Sequence, residues 1–190
     1  RLDIRALERE LGLMPIEAVL FDLDDTLIVD EAVSRETFEQ VCKKAAEKGQ
    51  VDAAKLKEAA ERLAQSCFEK GPAYAYCKEI GISAFECMWG TFLGEDDRLE
   101  PLHEWSLPFR RNVWKHALAE CGVIDEHWAD DLAKEWAECR RENVREMPYA
   151  MPLLTELDER YKVGLLTNGS PSLQRDKIAI AAVEPCLNAI

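Results

Sequence analysis

The chain has 190 residues, 47% of them hydrophobic and 32% charged, a globular composition long enough for one domain or for one domain carrying a large insertion. A formal net charge of −13 gives its surface nothing to gain from nucleic acid phosphates or anionic lipid, so both are excluded as partners. No apolar run approaches membrane-spanning length, so no membrane partner is expected.

In chain order, residues 1–13 (RLDIRALERELGL) are charged and helical in pattern, without the continuous apolar region of a signal peptide. Met14 reads as a natural start that leaves residues 1–13 as an N-terminal extension, although Leu7 and Leu11 equally fit one side of a helix. Residues 16–21 (IEAVLF) read as a short buried strand, opened by Met14 and Pro15 and closed by aspartates. Ser34 then fits as the cap of a helix whose Phe38, Val41, Cys42 and Ala45 share one face, with Gly49 as its stop. Asp52 fits as the cap of the next, with Leu56, Ala60, Leu63 and Cys67 aligned and Gly71 and Pro72 ending it.

After an irregular Trp-rich stretch, Val113, Ala117, Leu118 and Cys121 mark a third helix, stopped by Gly122. Asp125 opens a fourth, with Trp128, Leu132, Trp136 and Cys139 on one face, and aromatic stripes at this spacing read as core packing. The pattern then changes: MPLLTELDERY is an amphipathic helix and KVGLLTN a second buried strand. SPSLQRDKIAIAA is a further helix, with Ser170 or Ser172 as its cap and Pro171 in its first turn. Strand, long helical insert, helix, strand, helix is the outline of an α/β core interrupted by an all-helical domain. The division expected is residues 14–30 with 150–190 for the core and 31–149 for the insert. None of the seven cysteines forms a CxxC pair, and they read as reduced core side chains in a cytoplasmic protein. His103, His116 and His127 lack metal-ligand spacing.

Chemistry concentrates at the two strand ends. In DLDDT, Asp22 and Asp24 stand two residues apart just past a strand, where alternation sends both side chains the same way. Ligands of parallel α/β sheets bind beyond the carboxyl ends of the strands. A calcium loop would need Gly at the sixth position and Glu at the twelfth, and Leu27 and Val33 stand there instead. A solvated acidic turn is the plain alternative, but no Gly, Pro or Asn marks one and Leu27 and Ile28 resume the apolar pattern. The second strand ends in LLTNGSPS. Asn168–Gly169 alone suggests a hairpin, but a helix follows, so the stretch reads as a strand-to-helix turn offering the Thr167 hydroxyl, backbone N–H groups and a helix N-terminus to an anion.

DLDDTL after an apolar strand, then an all-helical insert, then LLTNGSPSLQRDKI, resembles the haloacid dehalogenase (HAD) superfamily with its helical cap inserted after the first motif. Within it the chain is similar to small-molecule phosphatases such as N-acylneuraminate-9-phosphatase and related nucleotide or sugar phosphatases. The resemblance implies a Rossmann-like core, a parallel sheet with flanking helices, and a Mg²⁺-dependent phosphatase acting on a small phosphorylated metabolite. Asp22 would be the nucleophile that forms an aspartyl-phosphate, and Asp24 the acid that protonates the leaving alkoxide and then the base that activates water. The Asp22 carboxylate and the Asp24 carbonyl would hold the metal, and Thr167 and Asn168 the transferring phosphoryl group. Thr26 would brace the loop. Superfamily dehalogenases carry a non-acidic residue where Asp24 stands, because a leaving halide needs no proton, so dehalogenation is disfavoured.

The superfamily would continue with a further strand, a lysine and a later acidic motif that completes the metal site, none of which is among these residues, so the core is expected to be incomplete. Lys177 is the nearby candidate for the lysine, and it is read as a surface residue. Tyr74, Tyr76 and Arg110 are the candidates for substrate contacts from the insert. A binding or regulatory protein that keeps the fold without turnover, or an inactive fragment, is the reading from another class. Homo-oligomerisation is left open.

Overall fold

The computed structural model describes residues 16–49, 51–94 and 96–190. The expected N-terminal extension lies outside the described residues. The elements in chain order are β1 (Ala18–Phe21), β2 (Ile28–Val29), α1 (Glu31–Glu47), α2 (Ala53–Phe68), α3 (Tyr74–Ile80), α4 (Ala84–Cys87), α5 (Glu100–Glu120), α6 (Glu126–Glu142), β3 (Arg145–Glu146), α7 (Ala150–Asp158), β4 (Lys162–Leu165) and α8 (Pro171–Ala181). Short 3₁₀ turns at Asp97–Leu99 and Glu184–Cys186 precede α5 and follow α8.

β1 and β4 pair in parallel, Ala18 opposite Lys162 through Phe21 opposite Leu165, so the two strands end side by side. Beyond β4 the chain adds a single parallel bridge, Gly164 to Ala189, with Leu165 N–H donating to the Ala189 carbonyl at 2.9 Å. One face of this sheet is covered by α7 and α8, where Leu154, Val163, Leu165, Ile178 and Val183 pack with Leu23 and Leu27. On the opposite face no described helix packs, and Leu20 is 66% and Leu166 72% exposed.

α1 to α6 form a second, larger cluster. At its centre Phe38 meets Trp136 at 4.8 Å, Phe85 at 5.2 Å and Trp114 at 6.0 Å between ring centroids. Trp128 and Trp136, expected to pack, are buried; Trp89 and Trp114 are buried as well, and Trp105 stacks on Phe109. The helical stripes hold for Phe38, Val41, Cys42, Ala45, Leu56, Ala60, Leu132 and Cys139, all buried, while Leu63, Cys67 and Cys121 are half-buried. All seven cysteines are free.

Two expected caps are present: Asp52 accepts from Lys55 N–H at 2.7 Å and Asp125 from Trp128 N–H at 2.9 Å. Ser34 is not a cap. α1 starts at Glu31, and Ser34 lies one turn in, its N–H bonded to the Asp30 carbonyl and its hydroxyl taken by Arg140. Asp30 holds the N-cap position without capping, because its carboxylate is drawn instead to Arg140 and Lys177. Ser170 occupies the N-cap of α8 but also makes no capping bond; its hydroxyl meets that of Ser172 at 3.1 Å.

The Trp-rich stretch is not irregular. It contains α3, α4 and the first half of α5, which runs straight through Pro108. Buried Leu102, Ser106, Phe109 and Val113 follow one another at four, three and four residues, a helical stripe that Ser106 and Pro108 disguise. β2 and β3 form a two-residue antiparallel ladder where the chain leaves and re-enters the α/β layer.

Candidate active site

β1 ends at Phe21, and the chain turns at once. Thr26, Leu27 and Ile28 all donate their N–H groups to the Leu23 carbonyl, at 3.3, 2.9 and 3.1 Å. Asp25 takes φ 53°, a left-handed conformation that aspartate tolerates better than most residues, and its carboxylate accepts Asp30 N–H at 2.9 Å. Leu23 is fully buried between the two aspartates that flank it, so the strand's alternation persists past its end and leaves Asp22 exposed and Asp24 half-buried. Thr26 is exposed, and its N–H is one of the three that meet the Leu23 carbonyl.

The second strand end lies alongside, since Leu166 N–H donates to the Phe21 carbonyl at 2.8 Å. The structure brings Asp24 and Thr167 to one group: the Gln174 side-chain amide donates to Asp24 Oδ2 and to Thr167 Oγ1, each at 2.8 Å. Gln174 belongs to the first turn of α8, so the helix that follows the second strand grips the residue that follows the first. Asn168 is exposed and packs toward Gly81 at the end of α3. Gly169 adopts φ +106°, which favours glycine, and its N–H goes to the Ile80 carbonyl at 2.7 Å rather than outward to an anion. The Thr167 hydroxyl is the group at this turn that shares a partner with Asp24.

Lys177 is not a surface residue: it is fully buried. Its ammonium lies 2.7 Å from Asp24 Oδ1, 2.8 Å from Glu86 Oε1 and 3.2 Å from Asp30 Oδ1, three carboxylates for three N–H donors. Burial alone would push this ammonium down, and Glu86, Asp30 and Asp24 together reverse that and hold it above the ordinary lysine value. Arg140, also fully buried, adds a second cation: it pairs with Asp30, donates to Ser34 Oγ at 2.9 Å and lies 5.0 Å over the Trp89 ring. Sequence reasoning missed Gln174, Glu86, Asp30 and Arg140 entirely. The available signal was on α8, where Gln174 and Lys177 share a stripe with Leu173 and Ile178.

Among the described residues no hydrogen bond or ion pair engages the Asp22 carboxylate, and no three His, Cys, Asp or Glu side chains converge to hold a metal. The Asp24 carboxylate is already occupied by Lys177 and Gln174. One free carboxylate, Asp22, and one main-chain carbonyl, that of Asp24, are therefore what the strand end offers a divalent ion. This fits Mg²⁺, which keeps several waters and takes one or two carboxylates together with substrate oxygens.

Of the insert residues expected to contact substrate, Arg110 donates to the Cys87 and Gly90 carbonyls and so supports the end of α4. Tyr74 packs edge-on against Phe68, and the Tyr76 hydroxyl donates to Asp96, which also accepts from Arg98, whose guanidinium lies 4.3 Å over the Tyr76 ring. Asp96 and Arg98 line an open groove of about 330 Å³ with Pro171 and Arg175 from the start of α8.

The sequence model of the haloacid dehalogenase-like hydrolases matches residues 16–188. The chain belongs to this family. Phosphoserine phosphatase of Thermus thermophilus is 37% identical over 169 residues, covering 88% of this chain and 64% of that protein. Human N-acylneuraminate-9-phosphatase is 26% identical over 184 residues, covering 95% of this chain and 62% of that protein. The chain thus spans somewhat under two thirds of the length of these curated relatives. Among solved structures, the HAD-hydrolase YfnB of Bacillus subtilis, described as bound to magnesium, shares the fold with a TM-score of 0.51 at 15% identity, over 93% of this chain and 63% of that one. The α/β core with parallel strands and attached helices is that of a HAD hydrolase.

Proposed function

We propose that the protein hydrolyses a small phosphomonoester through an aspartyl-phosphate on Asp22. The observation that supports this most directly is the state of Asp22: an exposed carboxylate just past β1, unpartnered among the described residues, with Thr167 just past the adjacent β4 and a second carboxylate held two residues away. The names of the relatives point the same way, since both are phosphatases of small metabolites.

In this reading the Asp22 carboxylate attacks phosphorus in line, and the P–O bond to the leaving alkoxide breaks as that oxygen takes a proton from Asp24. Asp24 then accepts a proton from water, whose oxygen attacks the aspartyl-phosphate and releases inorganic phosphate. Thr167 donates to a non-bridging phosphoryl oxygen. Asp22 and the Asp24 carbonyl would hold Mg²⁺, which when bound neutralises charge on the phosphoryl oxygens and lets an anionic nucleophile approach. Asp24 also separates phosphatase from dehalogenase chemistry, because an alkoxide needs a proton to leave and a halide does not. The helical layer, residues 31–149, would act as a cap that excludes water and selects the leaving group, with the groove at Asp96, Arg98 and Arg175 as its approach.

The test is Mg²⁺-dependent phosphate release from a panel of phosphomonoesters, phosphoserine and sugar phosphates included, by the full-length protein. Turnover is expected with Mg²⁺, absent after chelation and absent in Asp22→Asn. Asp24→Asn should lose about 10²–10⁴-fold on alkyl phosphates. Undiminished release by Asp22→Asn would contradict the proposal.

A further inference from the structure

We propose that Lys177, together with Gln174, is a positioning residue that fixes the Asp24 carboxylate and, through Glu86, makes that fixation depend on the seating of the helical layer. The inference rests on the phosphatase reading for the role of Asp24, and on geometry alone for the linkage.

Both Asp24 oxygens are held, Oδ1 by Lys177 at 2.7 Å and Oδ2 by Gln174 at 2.8 Å, so the carboxylate cannot rotate without breaking one of them. Both neighbours of the Gln174 amide, Asp24 and Thr167, meet its NH₂ group, and its Oε1 is buried without a partner, so the side chain is present for its two donors. A lone buried ammonium is strongly disfavoured, and Lys177 is tolerable only inside its three carboxylates. One of these comes from the helical layer. Glu86 divides its two oxygens: Oε2 accepts Ser83 N–H at 2.8 Å and closes the capping box of α4, while Oε1 takes Lys177 at 2.8 Å. A second, Asp30, sits at the crossing from the α/β layer into α1 and is itself paired with Arg140 of α6. Movement of α4 or α6 relative to α8 therefore pulls on the group that holds Asp24.

A merely structural lysine would slow every substrate alike. A lysine that aims the acid should matter where the leaving group needs a proton. Replacing it by Lys177→Met should lower kcat on an alkyl phosphate by about 10²-fold, the cost of a misplaced reacting group, and leave kcat on p-nitrophenyl phosphate, whose leaving group needs no proton, much less affected. Because Lys177→Met leaves three carboxylates facing one another and can fail to fold, Gln174→Leu, which removes the other hold without changing charge, is run beside it and should give the same leaving-group split. Glu86→Gln keeps a capping-box residue and removes one of the three negative charges that face Lys177. In amide hydrogen exchange it should speed exchange both in α4 and in residues 22–28, across the layer boundary. This readout does not depend on turnover, so a protein without phosphatase activity would sink the proposed function and still test the linkage. Equal losses on both substrates would overturn the positioning role, and faster exchange confined to α4 would overturn the coupling.

Discussion

At the residue scale, the proposed chemistry rests on Asp22, Asp24 and Thr167, and Lys177 and Gln174 hold both oxygens of the Asp24 carboxylate. Asp22, Asp24 and Thr167 stand next to strand ends, and a short apolar run breaking into carboxylates or into a Thr-Asn-Gly turn is a local signal. Lys177 and Gln174 on α8, Glu86 on α4 and Arg140 on α6 come from three stretches of chain whose meeting is tertiary, and no spacing in the sequence announces that meeting. Gly81 gives a test of how tightly the second motif is seated. It has φ +82°, and a Cβ there would stand 3.2 Å from the Asn168 Cβ. Gly81→Ala should cost about 1–2 kcal/mol in denaturant unfolding for the left-handed backbone, and it should also lower turnover by displacing the Thr167–Asn168 turn. The thiols give a second test. Burial pushes Cys42 up to about 12 and Cys77 up to about 11, so at pH 8 both are protonated as well as enclosed. Neither should react with iodoacetamide in the native protein, and both should label fully in denaturant.

At the scale of elements, a regular apolar period identifies a helix even without a capping bond, as in α7 and α8, whereas cap positions and proline-interrupted turns are not legible in the same way. Asp52 and Asp125 cap as their sequences predict. Ser34 was misplaced because the true N-cap residue, Asp30, has its carboxylate pulled away from the helix by two buried cations, an effect no local propensity encodes. The early half of α5 was hidden by Pro108, which removes one helical hydrogen bond yet is accommodated on the exposed side of a helix whose buried side carries Leu102, Phe109 and Val113. The β2–β3 ladder has two residues a side, too few to show any period. Two substitutions test where the stability of these elements resides. Trp136→Ala empties the centre of the aromatic cluster and should cost about 3–5 kcal/mol. Arg140→Leu should cost a similar ~3–5 kcal/mol, because it leaves Asp30 partly buried beside Lys177 without its second cation. Equilibrium urea unfolding measures both.

At the scale of the molecule, a net charge of −13 is spread over a surface whose ion pairs are mostly exposed, several of them one helical turn apart. Such pairs contribute little, so added salt should relieve more repulsion than attraction, and the Tm should rise by a few degrees between low and physiological ionic strength. The two layers meet along the acidic, lysine-centred contact at Asp24, with Asp22 left exposed, and the proposed function gives bond-making to Asp22 and proton transfer to Asp24. The most direct measurement is to quench the full-length protein during turnover of a phosphomonoester in Mg²⁺, reduce it with borohydride and sequence its peptides by mass spectrometry. An aspartyl-phosphate on Asp22 predicts homoserine at position 22 alone, dependent on substrate and lost in Asp22→Asn. Turnover that continues with no modification at position 22, or with modification at another aspartate, would contradict it.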